Sequence, residues 1–228
     1  MSTFSPINTS GQAVAFISGG KEYGVIIAPK HLAFNDTEIN RTGVSVFMTE
    51  QQARENELRG TQAAIEDAGA LGVMTAFNRV GITAANAHTG LLKNILRGEW
   101  GFKGLESQDF IMNPNYAVLK EYALNGGTMT TFTGENTMAA VSEKFAYWTT
   151  ENVGQDTELM SAIKQAMTWQ AYALANSNAL DGIASSTRLV SVRTWYDNAL
   201  VAVQVVFAAL TVLAAAMYVL NDRKSKKQ

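Results

Sequence analysis

The stretch that decides the fold is "LLKNILRGEWGFKGLESQDF", residues 91–110. From Gly90 its apolar residues Leu91, Leu92, Ile95, Leu96 and Trp100 fall on one side of a helix. "GFKG" then breaks the pattern as a turn, and a short strand runs on to Asp109. An aspartate at the end of a strand needs a reason, because an unpaired carboxylate is costly to bury.

The same alternation extends on both sides. "GVIIAPKH" (24–31) reads as a buried strand and residues 50–68 as a helix carrying Ala53, Leu58, Ala64, Ile65 and Ala68. "GVMTAF" (72–77) is a second strand, and the decisive stretch supplies the next helix and the third strand. A helix starting near Pro114 ends at Asn125-Gly126. "GTMTTF" (127–132) is a fourth strand, followed by helices over about 136–148 and 156–178. Strands alternating with helices predict an α/β fold with a parallel sheet, about four βα units in all. In such folds reactive groups gather at the C-terminal ends of the strands. Lys30-His31, Phe77-Asn78, Asp109 and Phe132 occupy those ends.

These residues resemble glycoside hydrolase family 3, the retaining β-glucosidase family. "KHLAFNDTEINR" (30–41) is similar to its K-H-F-A-x-N-x-x-E-x-x-R stretch, and "EQQARENEL" (50–58) to a helix reading E-R-T-L-R-E-x-Y-L. "VMTAFNRVG" (73–81) is similar to V-M-x-x-Y-N-x-x-N-G, and residues 91–110 to L-L-x-x-I-L-R-x-E-W-G-F-x-G-x-V-x-S-D-W. The likeness covers about 80 residues and fades after about residue 135.

The resemblance implies that Asp109 is the catalytic nucleophile and that Lys30 and His31 hydrogen-bond sugar hydroxyls. It implies that Arg41 is a structural arginine near the site, and that Phe77 stands where the family often has a substrate-contacting tyrosine. Glu106 departs from the family's apolar strand. The hexosaminidase branch, with K-H-F-P-G-H-G, does not match "KHLAFND".

Retaining hydrolysis takes a nucleophilic carboxylate and a second carboxyl roughly 5 Å away as acid and then base. Glu106 and Glu135 are the nearest acidic candidates for the second role, and strand alternation turns Glu106 to the face opposite Asp109. His88 carries no motif and reads as an ordinary helix-start residue. The implied activity is hydrolysis of β-glucosidic bonds with retention, on a β-glucoside or oligosaccharide. No metal or cofactor is expected. The alternative is a non-catalytic membrane-anchored remnant that binds sugar or serves as an interaction surface.

A (β/α)₈ barrel needs eight strands and about 250 residues. The expected architecture is therefore a partial TIM-type barrel over residues 1–190. The missing partners would be the other barrel strands and the family's sandwich domain, carried by a longer parent chain.

A transmembrane helix is expected over 197–220 and a basic cytoplasmic tail over 221–228. "ALVAVQVVFAALTVLAAAMYVL" (199–220) contains no charged residue and spans roughly 30 Å as a helix. Trp195, Tyr196 and Tyr218 suit the interfaces, and Arg223, Lys224, Lys226 and Lys227 place the tail in the cytoplasm and the domain outside. "MSTFSPINTSGQ" has neither a basic nor an apolar signal region. Two readings stay open: a tail anchor with the domain inside, or a signal carried by a longer chain.

Across the 228 residues, 47% hydrophobic and 17% charged content describe a globular chain with an apolar bias. The net charge of −2, with no basic face before the tail, gives no support for nucleic-acid binding. With no cysteine there is no disulfide, thiolate metal site or cysteine nucleophile.

Overall fold

A computed structural model describes residues 6–41, 43–110, 118–131, 148–183, 187–188, 190 and 192–225. The chain divides into two compact units, residues 1–181 and 182–228. The expected helix start at Pro114, the strand end Phe132, Glu135 and nearly all of the helix over 136–148 lie outside the described residues.

The first unit is built on a parallel sheet. Strands β1 (Lys30–Leu32), β3 (Gly72–Thr75) and β6 (Leu105–Gln108) lie side by side in that order. Gly72 through Thr75 pair in register with Leu105 through Gln108. Helical segments Glu50–Gln52 (α2), Ala53–Glu57 and Arg59–Glu66 (α3) connect β1 to β3. The helix Gly90–Glu99 connects β3 to β6. This is the strand–helix–strand alternation of an α/β protein.

The ladder begins later than the apolar run 24–31 suggests. Pro29 has no N–H to donate, so its carbonyl alone joins β3, through the Met74 N–H at 3.1 Å. The fourth strand expected over 127–132 is reduced, among the described residues, to one parallel bridge between Ser107 and Met129. The bridge is made by the Met129 N–H to the Glu106 carbonyl (3.0 Å) and the Gln108 N–H to the Met129 carbonyl (3.3 Å), and the Tyr122 hydroxyl lies 2.7–2.8 Å from both carbonyls.

A small second sheet forms in the loops that follow β1 and β3. It joins β2 (Ser45–Val46), β4 (Arg79–Val80) and β5 (Thr83–Ala84) in that order. It ties the segment carrying Arg41 to the segment after Phe77.

The core packs helices onto the sheet. Leu32, Leu92 and Leu96 are fully buried with Val73, Ile65, Trp100 and Phe102 in one cluster. Each such leucine contributes about 2 kcal/mol through area removed from water. An N-terminal helix, α1 (Pro6–Glu22), packs on α3 and buries Ile17.

The turn "GEWGFKG" is fixed from three directions. Gly101 adopts φ +60°, open to glycine without the usual steric cost, and ends the helix. Gly104 passes so close to the Leu71 carbonyl that a Cβ would collide with backbone. Arg97 reaches across and donates to the carbonyls of Phe102 (3.0 Å), Gly104 (2.9 Å) and Gly126 (2.6 Å). Its guanidinium also lies 3.9 Å from the centre of the Trp169 ring. Burial pulls the Arg97 pKa down to about 10. Completing this unit are α4 (Leu119–Leu124), α5 (Thr150–Gln155) and α6 (Thr157–Ala175), the last capped by Asp156, which accepts from the Leu159 N–H at 3.0 Å.

The second unit holds one long helix, α7 (Trp195–Ser225). Its Trp195–Leu220 part has a mean hydropathy of 2.4, none of it is buried, and it is long and apolar enough to cross a membrane. Thr194 caps it: its hydroxyl oxygen accepts from the Asp197 N–H at 3.4 Å, and the Asp197 carboxylate accepts from the Thr194 N–H at 2.8 Å.

Candidate functional site

The C-terminal ends of β1, β3 and β6 bring four of the five singled-out residues together. Asp109 follows β6 directly and is 7% exposed. Its N–H donates to the Thr75 carbonyl at 3.2 Å, so β3 fixes its backbone. Its Oδ1 accepts from the Phe110 N–H at 2.8 Å. Its Oδ2 accepts from Arg41 Nη1 at 3.0 Å and lies 3.5 Å from His31 Nε2.

Arg41 is anchored twice more. Its Nε lies 3.2 Å from Glu38 Oε2, and its guanidinium sits 5.1 Å from the centre of the buried Phe77 ring. Phe77 without a hydroxyl offers a flat face to the cation. Asn35 Nδ2 donates to Glu38 Oε1 at 3.4 Å and approaches His31 Nδ1 at 3.3 Å. Burial lowers the His31 pKa and outweighs the raising effect of Asp109; the cations Lys30 and Arg41 push the same way as burial.

Lys30 stands apart. It is exposed, its side chain makes no hydrogen bond or ion pair among the described residues, and its charge acts on His31. Residues 35 and 38 sit inside the quoted 30–41 stretch, and the signal that marks them is their spacing. Asn35 follows His31 by four residues and Glu38 precedes Arg41 by three.

Glu106, the acidic candidate for a second role that falls among the described residues, is not at this cluster. Glu106 is fully buried and in register with Val73 of the core. Its Oε1 accepts from the Thr75 hydroxyl. Burial pushes its pKa up to about 7, against the hydrogen bond from Thr75, the nearby Tyr122 hydroxyl and the charge of Arg97. Glu135 lies outside the described residues. His88 serves the local chain: its Nδ1 accepts from the Leu91 N–H at 3.0 Å, at the start of the helix Gly90–Glu99. Among the described residues no group of three or more His, Cys, Asp or Glu side chains is placed to hold a metal ion.

Chemically the cluster presents a carboxylate between a fixed cation and an imidazole nitrogen. That combination suits nucleophilic attack by the carboxylate and hydrogen bonding to hydroxyl groups.

Comparison with known proteins gives the family. Residues 4–128 match the family model described as the glycosyl hydrolase family 3 N terminal domain, and the chain belongs to that family. A probable β-glucosidase J of Emericella nidulans is 38% identical over 105 residues, 46% of this chain and 12% of the relative. β-Glucosidase B of the same organism is 41% identical over 98 residues, 43% of this chain and 12% of the relative. The chain thus spans about an eighth of these relatives' length. Among solved structures, β-glucosidase 3B from Thermotoga neapolitana in complex with glucose superposes with a TM-score of 0.65 at 24% identity. That match covers 77% of this chain and 24% of the other, and the likeness is one of fold.

Proposed function

We propose that this chain carries the nucleophile side of a retaining β-glucosidase site, on part of a (β/α)₈ barrel. Asp109 is the nucleophile: its carboxylate bonds to the anomeric carbon as the bond to the leaving oxygen breaks, and water then attacks the same carbon of the glycosyl ester and releases the carboxylate. His31 and Lys30 bind sugar hydroxyls, Arg41 holds the nucleophile in place, and Phe77 supports Arg41. The single observation that carries this reading is the Asp109 carboxylate at a parallel strand end, 3.0 Å from Arg41 and 3.5 Å from His31. The acid/base carboxyl comes from sequence outside the described residues, in keeping with relatives of much greater length. The apolar helix anchors the protein in a membrane, with the domain outside and the tail in the cytoplasm.

One observation favours a second reading, in which the chain by itself only binds sugar. Glu106, the acid closest to Asp109 in sequence on β6, is buried among core residues.

Labelling separates the two. The full chain in detergent micelles is incubated with 2,4-dinitrophenyl 2-deoxy-2-fluoro-β-glucoside, whose leaving group needs no acid. Peptide mass spectrometry is expected to find a fluoroglucosyl ester on Asp109, absent from Asp109→Asn. An unlabelled Asp109 in a folded sample removes the nucleophile assignment and leaves the binding reading.

A further inference from the structure

Five side chains, Asp109 among them, close into a ring. Arg41 joins Asp109 to Glu38, Asn35 joins Glu38 to His31, and His31 Nε2 returns to Asp109 Oδ2. We infer that Asn35 and Glu38 are positioning residues that fix His31 as its Nε2–H tautomer, with that N–H aimed at the Asp109 carboxylate.

The inference follows from donor and acceptor counting. Glu38 carboxylate oxygens accept and do not donate, so the Asn35 atom facing Oε1 at 3.4 Å is the amide nitrogen. Turning the amide over would set Asn35 Oδ1 against Glu38 Oε1, two acceptors face to face. The same nitrogen lies 3.3 Å from His31 Nδ1 and donates there as well, using its two hydrogens. Nδ1 is then an acceptor, and a neutral ring carries its proton on Nε2. That nitrogen lies 3.5 Å from Asp109 Oδ2. Glu38 has a second duty: its Oε2 holds Arg41 Nε at 3.2 Å, while Arg41 Nη1 reaches Asp109. One exposed carboxylate thereby orients both partners of the nucleophile.

The consequence for sugar binding rests on the reading of Asp109 as the nucleophile; the tautomer does not. His31 then offers a hydroxyl group a fixed N–H donor beside the attacking oxygen, without a second positive charge.

The chain has only two histidines, so imidazole ¹⁵N spectra of the full chain in micelles are assignable with one His88→Gln control. The expected spectrum at neutral pH shows His31 protonated on Nε2 and bare on Nδ1. Asn35→Asp replaces the donor by an acceptor, so His31 gains a proton on Nδ1 and its titration midpoint moves upward. The groups that set this midpoint are Asp109, Lys30, Arg41 and Glu38, together with the new carboxylate. Glu38→Ala frees the amide to turn, and His31 becomes a mixture of both tautomers. Glu38→Gln keeps an acceptor for Asn35 and restores the single tautomer.

Far-UV circular dichroism confirms folding of each variant, and Glu38 is exposed enough that its variants retain the fold. A resting His31 protonated on Nδ1, or an Asn35→Asp spectrum unchanged in tautomer and midpoint, overturns the inference. Fluoroglucoside labelling is read separately. A missing adduct with an Nε2–H His31 defeats the catalytic reading alone, and the reverse pattern defeats the ring alone.

Discussion

Arg41 and Asp109, 68 residues apart in the chain, meet at 3.0 Å on the loop side of the sheet, and the same guanidinium covers the ring of Phe77. Both side chains are largely withdrawn from solvent, 17% and 6% exposed. Removing one partner strands the other, and a buried charged group without its hydrogen bond costs roughly 1.5–3 kcal/mol. Arg41→Leu should therefore lower the melting temperature of the first unit by several degrees, at about 2–4 °C per kcal/mol for a domain of this size. Arg41→Lys should recover only part of the loss. An ammonium cannot bridge Glu38 and Asp109 with the geometry of the planar guanidinium. Thermal unfolding followed by circular dichroism checks both, and equal stability of wild type and Arg41→Leu would show that the pair is not stabilising.

Glu106 gives a pH dependence of definite sign. Its pKa is pushed from the ordinary carboxylate range up to about 7 because the ionised form is desolvated. The folded state then binds more protons than the unfolded chain between about pH 4.5 and pH 7. The contribution to stability is fully present below the unfolded pKa and is lost as pH rises through 7. At about 1.4 kcal/mol per pH unit, that window is worth roughly 3 kcal/mol. Glu106→Val should flatten this fall and stabilise the protein more at pH 8 than at pH 5. Denaturant titrations at the two pH values measure it; a variant equally affected at both would place the origin of the pH dependence elsewhere.

The helix Trp195–Leu220 should insert in a bilayer. It carries apolar residues on every side, with Phe207 and Leu210 near its middle. A lysine at the centre of such a helix costs about 2.5–3.5 kcal/mol on insertion. The double substitution Phe207→Lys and Leu210→Lys should move the protein from the carbonate-resistant membrane pellet to the supernatant. Retention of the double variant in the pellet would point to attachment by another part of the chain.

The pattern of apolar residues was enough to locate the strand 72–75, the helix 90–99, the long helix 157–175 and the C-terminal apolar helix, because each follows a clear period or an unbroken run; β6, reading Leu-Glu-Ser-Gln, carries no such pattern. Other elements depend on context that no local pattern carries. Helix α1 contains Gly11, Gly19 and Gly20 and buries only Ile17, so it owes its place to packing on α3 rather than to propensity. At Pro29 the ladder stops for want of an N–H to donate.

The site shows the same division. The resemblance singled out Asp109, His31, Arg41 and Phe77, which the structure gathers, and Lys30, which stays at the surface. Asn35 and Glu38 match the Asn and Glu of the quoted 30–41 stretch, but no role attaches to them until the atoms they face across the loop are seen.

Arg97, Gly101 and Gly104 lock the entry to β6 at the end remote from Asp109, using only main-chain carbonyls, a left-handed turn and a close passage. None of those demands involves sugar. The most recognisable word in this protein, "LRGEWGFKG", is therefore grammar of assembly. A descendant stripped of every reactive group would go on spelling it.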